Sequence, residues 1–234
     1  MQQAEFDKFA EEYHATLQRN IRLSGETPEY FAEYKVRDVA AALGGAARAS
    51  EQALDILDFG AGVGTSVPYF RTHFPRARLT CVDVSQKSLA VGTERFQGLA
   101  TFTHFDGASI PVAENSFDVA FAACVFHHID HRLHLDLFRE IRRVLRPAGA
   151  FFVFEHNPLN PLTVHTVRTC EFDVNARLIG GGAMKRRLAA AGFADPKLRY
   201  RIFFPHALAA LRWMEAHLTA LPLGAQYFVM ARKP

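Results

Sequence analysis

Apolar residues fall along this chain in two alternating patterns. Near-continuous, β-leaning apolar runs cover 54–59, 78–84, 101–105, 117–123 and 150–155. Between them the apolar positions recur at helical spacing, over 65–73, 86–96 and 131–145. Strand and helix in repetition predict an α/β fold. Local signals mark the ends. Ser85 is placed to cap the helix after the second strand, and Pro147, in Arg146-Pro147-Ala148-Gly149, stops the helix before the fifth. Ahead of the first strand, 3–19 and 28–43 also have helical spacing, parted by Ser24-Gly25-Glu26-Thr27-Pro28. Thr27 there is an N-cap with proline in the first turn. The last third is less regular. Residues 157–182 contain Pro158, Pro161 and a triple glycine, too much proline and polarity for a core helix. A helix over 183–191 then stops at Gly192, and strands follow at 198–204 and 226–232. Between those strands lies an apolar helix, 206–217, in which Leu208 and Leu211 share a face expected to pack on the sheet, with Trp213 on another face.

The first strand runs into Gly60-Ala61-Gly62-Val63-Gly64-Thr65. Glycines there permit positive φ and close backbone approach, so the turn can lie against a ligand while the amides of the following helix N-terminus face it. A nucleotide-like ligand at a strand's carboxyl end suits such a turn. A dinucleotide fingerprint beginning at Gly60 would need glycine or alanine at 65, where the chain has Thr65. The second strand ends on Asp83, 23 residues after Gly60, about the interval expected of a ribose-binding carboxylate.

On these residues the chain resembles the class I S-adenosylmethionine-dependent methyltransferases. DFGAGVGT is similar to their first motif and CVDVS to the acidic end of their second strand. PVAENSFDVAFAACVFHHI resembles the turn, fourth strand and following loop, and LRPAGAFFVFEHN the turn and fifth strand. The resemblance implies a Rossmann-like, doubly wound, mostly parallel seven-stranded sheet with an antiparallel last strand and helices on both faces. It implies S-adenosylmethionine as methyl donor and S-adenosylhomocysteine as product. The donor site it implies consists of Asp58, Gly60, Ala61, Gly62, Gly64, Asp83, Val84, Asp106, Gly107 and Cys124. Asp83 would accept the ribose hydroxyls and Asp106 the adenine amino group, although Asp106-Gly107 also reads as an ordinary turn cap. Helices before the first strand often cover the donor pocket in this family, which makes Tyr13, Arg22 and Tyr30 candidate contacts beside ordinary helix packing. The expected organisation is one methyltransferase domain, with cap helices in 1–50, a donor-binding core in 51–156 and an acceptor-side segment in 157–234.

Methyl transfer from an activated donor asks the protein for proximity, alignment and, with a hydroxyl acceptor, a base. His128 after the fourth strand, and Glu155 and His156 at the end of the fifth, are the candidates, with Glu155 equally readable as a structural ion-pair partner. Residues 157–173 are placed over the acceptor mouth, where Asn157, His165 and Arg168, beside Asn160 and Asp173, would read the acceptor. This segment and the closing LPLGAQYFVMARK are similar to a bacterial subgroup found with envelope-glycan or lipid-modifying enzymes, so a small-molecule, lipid-like or sugar-like acceptor is expected. Four histidines at 127, 128, 131 and 134 invite a zinc reading. No cysteine or acid stands at ligand spacing to complete a set, and no metal is expected. The rival readings are a nicotinamide-dependent oxidoreductase, disfavoured by Thr65 and the antiparallel last strand, and a non-enzymatic S-adenosylmethionine-binding module, which shares every donor motif.

Composition narrows this picture without changing it. The 234 residues are 49% hydrophobic and 22% charged, enough for one domain with a large core. The net charge of +3 is spread over helical pairs such as Arg142-Arg143, with no basic block to suggest nucleic acid as a partner. No apolar run approaches the roughly 18 to 20 residues that span a bilayer, and the amphipathic N-terminus is unlike a signal, so no stable membrane insertion and a cytoplasmic location are expected. Cys81, Cys124 and Cys170 are odd in number and far apart, which reads as reduced thiols.

Overall fold

The computed structural model describes residues 21–170 and 173–234, the side chains of Arg22 and Leu23 excepted. The expected helix over 3–19, Tyr13 and the Arg22 side chain lie outside the described residues. Strands β1 (Asp55–Phe59), β2 (Arg78–Asp83), β3 (Thr101–His104), β4 (Phe117–Ala123), β5 (Leu145–His156), β6 (Ala194–Arg201) and β7 (Gln226–Arg232) form one sheet in the order β3-β2-β1-β4-β5-β7-β6. Every pairing is parallel except those of β7, which runs antiparallel to β5 and β6. The chain adds β2 and β3 to one side of β1, then crosses to place β4 and β5 on the other. That reversal makes the crevice at the carboxyl ends of β1 and β4 the natural ligand site.

The central strands β1, β4, β5 and β7 are largely buried on both faces, and their alternating side chains feed two cores. Leu57, Phe59, Phe151 and Val153 enter one, with Phe138 and Ile141 of α5 (His134–Val144) and Met184 and Leu188 of α7 (Gly181–Ala190). Ile56, Phe121, Phe152 and Phe154 enter the other, with Val36 and Val39 of α1 (Pro28–Ala42) and Val67 and Phe70 of α3 (Val67–His73). The expected caps are in place: Thr27 Oγ1 accepts from the Tyr30 amide at the start of α1, and Ser85 Oγ from the Ser88 amide at the start of α4 (Gln86–Arg95). Short helix α2 (Ala46–Glu51) leads into β1.

Three expectations change. First, β5 begins directly after α5 and runs through Pro147. Its register against β4 shifts between Phe117 and Val119, and Ala148 takes φ +63°, so the proline sits in an irregular stretch where no ladder amide is needed. The bond from the Ala148 amide to the Lys233 carbonyl (3.0 Å) and that from the Lys233 amide to the Gly149 carbonyl (2.9 Å) hold this stretch in the sheet. Second, β6 starts four residues earlier than 198, because Ala194 pairs with Arg232 of β7. Third, 206–217 is no continuous apolar helix. A 3-10 stretch, His206–Met214, is broken at Leu208 and followed by the single turn α8 (Glu215–Leu218). Leu208, Leu211 and Trp213 are 47%, 39% and 71% exposed, so none packs on the sheet. Polar anchors hold the segment instead: buried Glu215 accepts the Phe203 and Phe204 amides, and Arg212 pairs with Glu26.

Candidate active site

A cavity of about 380 Å³ opens at the carboxyl ends of β1, β2, β4 and β5. Its floor is the glycine turn. The Gly60 and Ala61 amides donate to the Val82 carbonyl (2.8 and 3.1 Å), which pins the turn to β2. Gly60 has φ +73°, and a Cβ there would meet Val125 Cγ2 at 2.5 Å. Gly62 has φ +54° and nothing within 4 Å of its missing Cβ. Asp83 joins the turn to the end of β2: Oδ2 accepts the Gly62 amide and Oδ1 the Ser85 amide, both at 2.8 Å. Asp58 lies beneath, 2% exposed, accepting the Ser66 hydroxyl. Burial pushes its carboxyl up to about 7, with Ser66 opposing and the Asp83 charge adding to the rise.

Asp58, Gly60, Ala61, Gly62, Asp83 and Cys124 all line the cavity. Four expected donor residues do not. Gly64 packs inward, where a Cβ would meet Phe102 and Phe96 at 2.9 and 3.0 Å. Val84 is a core residue. Asp106 and Gly107 lie outside the cavity, and Asp106 Oδ1 accepts the Ala108 and Ser109 amides at 2.8 Å, the turn-cap arrangement. Those bonds hold its carboxyl below the usual range.

Beyond the turn the wall is built by β4, β5 and β7. Cys124, at φ +59°, donates its amide to the Phe154 carbonyl. Gln226 Nε2 lies 4.0 Å from Cys124 Sγ and 3.4 Å from His156 Nδ1, and its Oε1 accepts the Tyr34 hydroxyl. Burial resists a thiolate, but the Lys35 ammonium and His156 together bring the Cys124 thiol below its usual value. Cys124 in turn raises His156 against the effect of burial.

The expected catalytic candidates separate. His128 and His156 line the cavity, and Glu155 does not. Glu155 is wholly buried, accepting the Phe126 amide on Oε1 (2.7 Å) and the His127 Nδ1–H on Oε2 (2.6 Å). These two bonds tie it to the loop after β4. His127 Nε2 lies 3.3 Å from Asp173 Oδ1, and His128 Nε2 approaches the same oxygen at 3.3 Å. Burial disfavours charge on His127, yet the Glu155 and Asp173 carboxylates overcome it and raise its pKa well above the ordinary value. Burial and that neighbouring charge lower His128 to about 3. No acid stood within ligand spacing of the histidine run, and the fold brings one from 45 residues after His128. Asp173, expected only as an acceptor contact, makes with His127 and His128 a group whose ligand atoms all lie within 4.8 Å.

The segment over the mouth contains a helix that its proline and polar content concealed. In α6 (Pro161–Thr169), Asn160 Oδ1 accepts the Thr163 amide (3.0 Å) and Pro161 occupies the first turn. Leu162, Thr163, Thr166 and Val167 face the cavity, followed by Cys170. At 100° per residue His165 and Arg168 fall on another face, where both are exposed and outside the cavity. Asn157 is wholly buried and also off the wall. Its Nδ2 donates to the Pro222 and Gly224 carbonyls (3.1 and 2.8 Å), tying the end of β5 to the loop before β7. Tyr30 packs under the Arg212 guanidinium at 4.9 Å and does not line the cavity. Wall residues absent from the expected set include Lys35, Ser66, His127, Thr163 and Gln226. Of these His127 stood in the histidine run and Thr163 had the Asn160-Pro161 helix start, while Lys35, Ser66 and Gln226 had no local signal.

A Rossmann-like sheet with a glycine turn after β1 and an acid after β2 at the strand-order reversal defines the class I S-adenosylmethionine-dependent methyltransferases, and this chain is one of them. A family model described as a methyltransferase domain matches residues 57–153. An uncharacterized methyltransferase of Mycolicibacterium vanbaalenii is 26% identical over 234 residues, covering 92% of this chain and 86% of the relative. The malonyl-[acyl-carrier protein] O-methyltransferase of a Marinomonas species is 32% identical over 101 residues, 42% of this chain and 36% of that protein. A crystal structure from Thermotoga maritima, an S-adenosylmethionine-dependent methyltransferase described as a possible histamine N-methyltransferase, superposes with a TM-score of 0.67. It is 17% identical and 99% of each chain is covered. The chain is therefore an enzyme that transfers a methyl group from S-adenosylmethionine. Its residues fit that donor, since Gly62 presents bare backbone and Asp83 a carboxylate on the same wall.

Proposed function

We propose that the enzyme methylates a small acceptor with an apolar body, lipid-like rather than sugar-like. The observation that carries this reading is the apolar lining of the cavity: Phe31, Leu162, Val167, Phe203 and Pro205 belong to it, with Leu162 69% exposed. Leu159 and Leu223, each 63% exposed, lie close by, because Asn160 Nδ2 donates to the Leu223 carbonyl. An apolar body gains about 25 cal/mol per Å² on leaving water against such a wall, whereas buried sugar hydroxyls would need partners there.

S-adenosylmethionine supplies a methyl group already activated for displacement. The chain's part is to bind, align and remove a proton. We assign donor binding to the backbone of Gly60, Ala61 and Gly62, with Asp83 accepting the ribose hydroxyls, and the acceptor's proton to His156 beside Cys124. Asn157 and Glu155 act as positioning residues, and His165 and Arg168 have no acceptor role. In this organisation α1 covers the cavity through Pro28, Phe31 and Lys35, residues 51–156 hold the donor, and 157–234 shape the acceptor side as one domain with them. Three free thiols support a reducing, cytoplasmic setting, and among the described residues no helix is long and apolar enough to cross a membrane.

The test is incubation with methyl-labelled donor and separately with lipid and aqueous metabolite extracts, the labelled product being identified by mass. Label in an apolar or acyl-bearing product is expected. Label confined to sugars or other fully polar metabolites would overturn the acceptor class.

A further inference from the structure

We propose that His127, His128 and Asp173 bind one divalent transition-metal ion on the wall of the acceptor cavity. Three observations carry this. The first is spacing: Asp173 Oδ1 lies 3.3 Å from both His127 Nε2 and His128 Nε2. A tetrahedral ion with ligands at about 2.0–2.1 Å requires edges of about 3.3–3.4 Å. The third edge is no longer than 4.8 Å, within reach of a side-chain rotation of His128.

The second observation is the surrounding shell. His127 Nδ1–H donates to Glu155 at 2.6 Å, and Glu155 is itself fixed by the Phe126 amide at 2.7 Å. A ligand histidine whose other nitrogen is held by a buried carboxylate is the usual support of a bound metal, because it fixes the ring and aims the ligating nitrogen, here with the ion replacing the Nε2 proton. Glu155 and Asp173 also provide two negative charges against a dication, so the ion would not be buried uncompensated. The third observation is access. All three ligands line the cavity, and two imidazoles with one carboxylate leave a fourth position for water or substrate, as in catalytic rather than closed structural sites. The other two histidines of the run take no part. His134 is buried against the Ile129 carbonyl and Arg187, and His131 Nε2 lies 3.2 Å from the Arg177 carbonyl.

The test uses the full chain, stripped with a chelator and titrated with Zn²⁺ by calorimetry and with Co²⁺ by visible absorption, without acceptor. One ion per chain is expected, with cobalt bands of low coordination number and a higher Tm with Zn²⁺. Asp173→Asn and His128→Gln should each weaken binding at least about 100-fold, beyond the loss typical of outer-shell changes. His131→Ala should leave affinity unchanged. Two variants on different segments keep the test intact if one misfolds. No binding by the parent chain, or equal binding by a folded Asp173→Asn or His128→Gln variant, would overturn the site. The readout requires no methyl transfer, so failure here leaves the acceptor assignment standing, and the reverse holds too.

Discussion

Replacing Asp83 by alanine is the sharpest test of the donor site. Its two carboxylate oxygens accept the Gly62 and Ser85 amides at 2.8 Å, and a carboxylate can accept several hydrogen bonds at once, those of ribose hydroxyls among them. Hydrogen bonds to charged groups contribute about 1.5–3 kcal/mol each. Losing two to the donor, with part regained by water, gives a loss of roughly 2 to 4 kcal/mol, or about 30- to 700-fold in affinity. The side chain is 8% exposed and its removal also orphans two amides, so the variant should lose stability in parallel. Calorimetry with S-adenosylhomocysteine, run well below the variant's own Tm, separates the two effects. Asp83→Asn should fall between, since its amide group faces an N–H donor where a carboxylate oxygen stood. A folded Asp83→Ala protein that binds S-adenosylhomocysteine within about threefold of the parent would refute the reasoning, because ordinary single-site changes account for that much.

Other consequences are as direct. The Asp58 carboxyl, at about 7 in the fold against 3.8 unfolded, keeps its proton in the native state longer than in the unfolded one, so its contribution is full below pH 4 and is lost as pH rises to 7. The stability difference between the parent and Asp58→Asn in the free protein should therefore shift by on the order of 4 kcal/mol across that window, and a flat difference in denaturant titrations would contradict it. Gly60→Ala combines positive φ with a 2.5 Å clash against Val125 and should cost about 2–4 kcal/mol by denaturation, partly recovered by Val125→Ala. A Gly60→Ala cost below about 1 kcal/mol would show that the turn relaxes. Leu162→Asp should raise KM for the acceptor about tenfold while S-adenosylhomocysteine affinity stays constant. His165→Ala with Arg168→Ala should change neither quantity, and a fall in turnover would return those residues to the acceptor site.

The chain by itself determined the parts that depend on neighbours in sequence. The apolar runs and helical spacing placed β1, β2, β4, β7, α1 and α4 nearly to the residue, and Thr27 and Ser85 capped the helices they precede. The glycine turn and Asp83 were legible because positive φ and a strand-end acid are local requirements, and those residues do meet in space. What the sequence could not decide depends on pairing across long separations. Pro147 sits inside β5 because Lys233 bonds to Ala148 and Gly149 immediately after it. His165 and Arg168 lie off the cavity lining because α6 turns their face outward, although the Asn160-Pro161 start of that helix was visible. Glu155 became a buried anchor by receiving the His127 ring from 28 residues away. Asp173 joined the histidines only when the chain after β5 folded back over the cavity. Periodicity and caps are set by energies within a few residues, whereas the partner of a buried charge is set by whichever segment the packed sheet brings beside it, and only the tertiary structure decides that.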